Sequence, residues 1–259
     1  MAATVTALSI TPIKATRLRR VQQIRIDRHG VRENRRFLLV DEQGEMVNAT
    51  HLGLLNTIVS VYSDAERRLS ITFPDGRMLE DEVRLGDEVT ARFYDEEMPT
   101  RLVEGGWSDA ISRYVEKPLR LVEAADVGAV DRGAEGAVTL ISRGSLERLA
   151  ERAQQPSVDA RRFRMLIEVD GIPPHEEDAW VGRVLNVGEA ILRGRGHVGR
   201  CVITSRHPET GDIDLPTLKI LGGYRRDSET TEPVAFGIYG EIVRPGTVSV
   251  GDPVHVEPG

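Results

Sequence analysis

RRFLLVDEQGEMV, residues 35–47, is the stretch from which the architecture is read. Four apolar residues, Phe37, Leu38, Leu39 and Val40, run into Asp41-Glu42-Gln43-Gly44, and apolar character resumes at Met46-Val47. That is the pattern of two short antiparallel strands around a polar turn. The pattern repeats outward from there. Residues 5–12 and 21–27 read as two strands joined by a basic loop, and residues 57–62 and 69–73 as another pair. Pro74-Asp75-Gly76 supplies the turn that follows, and residues 89–94 continue the series. Short strands at about 8–12 residue spacing predict a barrel or sandwich.

Helical signals are fewer. Ser108 is expected to cap a short helix carrying Ile111, Tyr114 and Val115, stopped before Pro118. Ser145 is expected to cap a second, SLERLAERA, with Leu146, Leu149, Ala150 and Ala153 on one face. Residues 123–136 are rich in Gly, Ala and Asp without periodicity. They place a boundary near residues 120–137 and divide the chain into 1–125 and 126–259. In the second half, residues 137–141, 163–169, 184–192 and 201–204 read as strands. The chain closes through the turn Arg244-Pro245-Gly246-Thr247 and a short strand at 248–250. The expected class is mainly β with a few helices (α+β): an N-terminal β-barrel-like domain followed by a C-terminal β-barrel domain.

Composition narrows the function. A net charge of -7 over 259 residues argues against nucleic acid as the partner, since phosphate-backbone binding draws on a broad basic surface. Basic residues instead fall in three local groups: Arg17, Arg19 and Arg20; Arg32, Arg35 and Arg36; Arg161, Arg162 and Arg164. Such groups in an acidic chain suit a small anion pocket as well as solvated surface. No apolar run approaches the roughly 18 residues needed to span a bilayer, so no membrane partner is expected. Residues 1–18 lack the basic and apolar segments of a secretory signal, and a cytoplasmic location is expected.

The chain has one cysteine, Cys201. It excludes an internal disulfide, a cysteine-built zinc site, and an iron–sulfur cluster held by this chain's cysteines alone. The six histidines show no HExxH or other paired-ligand spacing. No GxxxxGK[ST] or GxSxG motif is present, and GRGHVG at residues 194–199 lies outside a strand–loop–helix unit, so it reads as a flexible approach loop. Cys201 sits in GRCVITSRHPETG, residues 199–211. A lone cysteine ahead of Val-Ile is by residue statistics a buried small hydrophobe. Against that, Arg200 and Arg206 flank it and favour a thiolate, and the glycines before it let backbone approach a bulky ligand. A nucleophilic pair with His197 or His207 can also be drawn, with nothing in the spacing to orient the histidine.

Four stretches together resemble one family. TPIKATRL at Thr11, RRFLLVDEQGEMVNA at Arg35, RRFRMLIEVDG at Arg161, and GRCVITSRHPETG with the later LPTLKIL and FGIYGEIVRPGTVSVGDPV occur in the order seen in MOSC-domain proteins. There a MOSC N-terminal β-barrel domain precedes a MOSC β-barrel domain, the arrangement of the mitochondrial amidoxime-reducing component and its bacterial relatives. The resemblance covers nearly the whole chain, from about residue 8 to residue 256.

The resemblance implies a molybdenum-dependent oxidoreductase that reduces N-hydroxylated small molecules. Cys201 would bind molybdenum carried by a pterin dithiolene, a soft metal for a soft thiolate. Lys14, Arg36 and Arg164 match the family's basic positions for the phosphate of that molybdopterin cofactor. Ser142 matches a further polar contact, and Arg200 and Thr204 flank the cysteine. Two departures stand out: Ala15 where the family often has Ser or Cys, and Met165-Leu166 where it has Pro-Asn. With one cysteine, electrons are expected from a separate ferredoxin- or flavin-type donor protein. The alternatives are a non-catalytic carrier of sulfur or molybdenum cofactor working with a cysteine desulfurase, and a family member that binds an anion without metal.

Overall fold

Closure of one sheet organises this molecule. The computed structural model describes residues 3–93, 96–124 and 133–257. The first half runs β1 (Ala3–Ile10), β2 (Arg19–Val21), β3 (Gln23–Ile26), β4 (Phe37–Val40), β5 (Met46–Val47) and β6 (Val59–Ser63). It continues through β7 (Arg68–Thr72), β8 (Met78–Glu82), β9 (Arg84–Phe93), β10 (Glu96–Glu104), α1 (Trp107–Val115) and β11 (Arg120–Ala124). The second half runs β12 (Val138–Ser142), α2 (Arg143–Ala153), β13 (Ile167–Asp170), β14 (Val184–Val187) and β15 (Ala190–Gly199). After it come α3 (Thr217–Tyr224), β16 (Ala235–Arg244), β17 (Gly246–Ser249) and β18 (Pro253–Val256).

Seven strands close a barrel in the order β13-β12-β16-β15-β14-β18-β1, with β1 returning to β13. Every pairing is antiparallel except β12 with β13, and α2 lies in the crossover that a parallel pair requires. A bulge between Val5 and Ala7 shifts β1 against β13. Val5, Leu8, Leu140, Ile167, Val169, Leu192, Ile238 and Val254 share one apolar core. The boundary expected at residue 125 falls in residues 125–132, outside the described residues. The sheets themselves cross that point in sequence, because β1 is a stave of this barrel and β3 pairs with β17.

The remaining N-terminal strands form a five-stranded sheet, β5-β4-β11-β10-β9, and a meander, β6-β7-β8. The Arg92 amide donates to the Gly44 carbonyl at 2.8 Å, which brings β9 back to the turn before β5 and gives the sheet its barrel form. Alternation explains why β4 is buried on both faces. Leu38 and Val40 pack with Ala91 and Val122, while Phe37 and Leu39 pack with Tyr62, Ile71 and Trp107.

Several local expectations need correction. Gly106, not Ser108, is the N-cap residue of α1, and the Ser108 hydroxyl accepts from the Leu121 amide at 3.0 Å. Ser142, not Ser145, caps α2 by accepting from the Ser145 amide. Residues 184–192 form the β14–β15 hairpin, turning at Gly188 (φ 56°), rather than one strand. The glycines at 194–199 belong to β15 instead of a flexible loop. A Cβ at Gly194 would lie 2.3 Å from the Trp180 carbonyl, and one at Gly196 would lie 2.6 Å from the Tyr239 hydroxyl. Residues 202–205 form a short 3-10 turn, not a strand. The strands β8, β10 and β11 and the helix α3 were not anticipated; β8 alternates poorly because it is almost wholly exposed.

Candidate functional site

A cavity of about 520 Å³ opens where loops of both halves meet, a size usual for small-molecule and cofactor sites. Its walls come from the loop after β1 (Lys14, Ala15), the β3–β4 loop with Arg32 and Arg35, and Asn48 to Thr50. Phe93 and Glu96, residues 163–166 and residues 198–201 complete it. Among the described lining residues, Lys14, Arg32, Arg35, Arg36, Arg164 and Arg200 stand with two carboxylates, Asp27 and Glu96, while Arg32 is paired with Asp27 and Arg36 with Glu123. A chain of net charge -7 thus concentrates positive charge at one place.

Three backbone segments reach the cavity through residues held in the left-handed region: Ala15 (φ 83°), Arg35 (φ 54°) and Arg164 (φ 56°). Each conformation costs an L residue on the order of 1 kcal/mol, and such strain gathers where a site fixes its geometry. The surroundings hold it. The hydroxyls of Thr11 and Thr16 lie 2.6 Å apart, Ser60 lies 2.8 Å from Thr16, and Thr16 donates to the Ile13 carbonyl at 2.8 Å. All three are buried. This knot fixes the turn that presents Lys14, whose amide donates to Phe37 O at 2.9 Å and whose ammonium lies 4.0 Å over the Phe93 ring.

Arg164 donates to the Thr16 carbonyl at 2.8 Å and to Asn56 Oδ1 at 3.4 Å, both neutral acceptors. Its own carbonyl accepts from Arg35 Nη2 at 2.8 Å. Burial pushes the Arg164 guanidinium down to about 10, so it stays charged at neutral pH. Lys14 is held well below its ordinary range, by burial first and then by the charges of Arg35 and Arg164. A charged Cys201 sulfur acts in the opposite sense on Lys14. Cations from three segments are therefore crowded together beside the thiol.

Cys201 is exposed and lines the cavity, which removes the reading of a buried, inert side chain. It precedes the 3-10 turn at Val202–Ser205, and its carbonyl accepts from the Thr204 amide (3.2 Å) and hydroxyl (2.9 Å).

The structure brings Cys201, Lys14, Arg36, Arg164 and Arg200 to this cavity and leaves Ser142 and Thr204 out of its walls. Ser142 is fully buried, with its hydroxyl 2.7 Å from Glu177 Oε2. Thr204 is 1% exposed and serves the turn after Cys201. Arg36 is tied to Glu123 through Nε at 2.5 Å, and Arg67 takes the other carboxylate oxygen at 3.3 Å. Neither histidine pairs with the cysteine across this cavity. His197 Nδ1 accepts from the Thr231 amide at 3.0 Å and His207 Nδ1 from the Glu209 amide at 3.2 Å, and neither residue lines the walls. The sequence reading grouped Arg35 with Arg32 and Arg36 without singling it out, and it missed Asn34, Asn48 and Phe93 as wall residues. Arg35 and Arg36 are adjacent and chemically alike, so only the backbone turn at Arg35 separates their roles.

The family model described as the MOSC domain matches residues 127–255, and that of the MOSC N-terminal beta barrel domain matches residues 2–119. Mitochondrial amidoxime-reducing component 1 of Mus musculus is 33% identical over 123 residues, 45% of this chain and 35% of that protein. Molybdenum cofactor sulfurase of Oryza sativa subsp. japonica is 26% identical over 269 residues, 90% of this chain and 32% of that protein. The matches thus span about a third of the length of these relatives. Among solved structures, the YUAD protein from Bacillus subtilis aligns with a TM-score of 0.47 at 12% identity, over 99% of this chain and 96% of that one. No helix among the described residues is long and apolar enough to cross a membrane.

Proposed function

Because the chain belongs to the MOSC family, with a MOSC N-terminal barrel ahead of the MOSC domain, we propose that it is a molybdenum-cofactor-dependent oxidoreductase. Its substrates are N-hydroxylated small molecules, and a separate ferredoxin- or flavin-type protein delivers the electrons. The observation that carries this reading is the crowding of Lys14, Arg35 and Arg164 beside an exposed Cys201 in a cavity of about 520 Å³.

The residues fit the cofactor by their chemistry. Like charges drawn together lower one another's tendency to hold protons, and a bound phosphate reverses that penalty. Arginine forks and the lysine point charge suit a phosphate held by several segments. Among the described residues no group of three or more His, Cys, Asp or Glu is placed to hold a metal. The metal that suits Cys201 is therefore one that arrives with ligands of its own.

In this reading Cys201 holds the metal as a thiolate, while Lys14, Arg35 and Arg164 hold the phosphate end. Arg36, braced by Glu123, adds charge to the wall. When bound, the molybdenum–pterin group supplies the two-electron couple that removes oxygen from the N–OH group and releases it as water. The chain orients that group, leaves Cys201 accessible, and relies on another protein for reducing equivalents. An exposed single thiol suits a reducing, cytoplasmic setting.

The test is metal analysis with pterin fluorescence on protein from a host that makes the cofactor, beside Cys201→Ala and Arg164→Ala. Stoichiometric molybdenum and reductase activity support the reading, with activity lost in Cys201→Ala and occupancy lost in Arg164→Ala. Wild-type protein without molybdenum sinks it. The match to a molybdenum cofactor sulfurase over 90% of this chain favours one second reading, a non-catalytic sulfur or cofactor carrier served by a cysteine desulfurase. Cofactor that passes readily to an apo-enzyme, with no turnover, selects that second reading.

A further inference from the structure

Arg200 lines the cavity, yet its guanidinium is turned into the protein. Nη1 donates to the Phe163 carbonyl at 2.9 Å, Nη2 to Met165 Sδ at 3.0 Å, and Nε to the Phe236 carbonyl at 2.8 Å, with Nη2 also contacting that last oxygen. The guanidinium carbon lies 5.3 Å from the centre of the Phe163 ring. Phe163 and Met165 are the two neighbours of Arg164, and Arg200 is itself the neighbour of Cys201. One planar group therefore grips both sides of Arg164, which sits in a left-handed conformation that its surroundings must enforce. Gly237 (φ 80°) leaves the space: a Cβ there would lie 2.8 Å from Met165 Cε and 3.4 Å from Arg200 Nη2.

The geometry points to Arg200 as a positioning residue that sets the placement of the Arg164 cation relative to the Cys201 sulfur, with Met165 as its sulfur acceptor. The inference rests on the proposed function for its purpose, since that placement matches the phosphate end of a cofactor to its metal end. It also gives Met165 a task, so the departure from Pro-Asn to Met-Leu brings a new acceptor. Lysine cannot replace this arginine, because a point charge cannot span three acceptors in one plane.

The test uses the full chain from a host without the cofactor, so it stands apart from the metal analysis. Cys201 is alkylated with iodoacetate, an anion, and with neutral iodoacetamide, and the ratio of the two rates is measured. The ratio cancels the thiolate fraction and reads the cations near the sulfur. Wild-type protein is expected to favour the anionic reagent. Arg164→Ala and Arg200→Lys should each lower the ratio by about three- to ten-fold, and the double variant should fall no further than Arg164→Ala alone. A wild-type ratio in Arg200→Lys, or losses that multiply in the double variant, overturns the inference. If Arg200→Lys fails to fold, Met165→Leu takes its place under the same criteria, being close in volume to the native side chain. Loss of molybdenum binding by wild type would refute the proposed function and leave this ratio unaffected.

Discussion

Two regions of this molecule bury charge, and they resolve it in opposite ways. Beneath α2, the fully buried Glu177 carboxylate takes hydrogen bonds from the Ser142 amide (3.1 Å) and from the hydroxyls of Ser142 and Ser145 (2.7 Å each). Burial raises its pKa, while those hydroxyls pull it back. At the cavity, burial holds the Lys14 pKa down, and the charges of Arg35 and Arg164 add to that effect. A polar group whose valences are used up within the chain stabilises the fold. Like charges gathered by strained backbone instead store unfavourable energy that an anion relieves. The difference separates a structural cluster from a candidate binding site, although both are polar and both lie near conspicuous serines and arginines.

The largest effect that would break this contrast concerns Cys201→Ala. Under the proposed function, with cofactor-loaded protein and a chemical reductant, turnover of an N-hydroxylated substrate should fall roughly a hundred-fold or more. The thermal midpoint should barely move, since the side chain is exposed. Retained turnover would take the cysteine out of the chemistry. Glu177→Ala should cost about 3 kcal/mol in urea unfolding, because it strands buried donors. Its Cys201 alkylation rates should stay at the wild-type values; a change in them would join the two regions into one.

Lys14→Met sharpens the contrast from the other side. Inorganic phosphate affinity, measured by calorimetry, should drop about ten-fold, while the fold becomes more stable. The sign follows from linkage. The folded-state pKa of Lys14 lies below 10.5, so folding weakens its hold on the proton. The penalty is complete below the folded value and fades as pH climbs to 10.5. The variant's stability advantage should therefore be fully present below the folded-state pKa and shrink towards zero as pH rises from there to 10.5. An advantage that grew with pH would refute the lowered pKa of Lys14. The smallest effect belongs to Ser142→Ala. It should lose about 1 kcal/mol from the α2 cap and leave molybdenum content unchanged; depleted molybdenum would return Ser142 to the site.

Much of this was legible beforehand where the signal is local. Alternation around Asp41–Gly44 placed β4 and β5, and the pairing of residues 57–62 with 69–73 emerged as β6 with β7. It failed where a strand has no apolar face to display, as in β8, and where close packing imitates flexibility, as in the glycines of β15. Of the residues expected from the family resemblance to hold a cofactor, Lys14 and Arg164 line the cavity, whereas Ser142 and Thr204 do not. Both have hydroxyls already committed elsewhere.

By itself the sequence determined the strand-rich class, the single thiol, and the basic groups from which the cavity draws its cations, because residue type and period two are written along the chain. The tertiary structure decided which of two adjacent arginines joins Lys14, that Arg200 turns inward, and that β1 completes a barrel whose other staves begin at Val138. The physical reason is that hydrogen-bond valence and charge are settled between residues distant in sequence. Arg35 reaches the carbonyl of Arg164, Arg200 reaches that of Phe236, and Ser142 reaches Glu177. Cys201 is exposed for the same reason: what surrounds it was fixed by segments that the local sequence does not name.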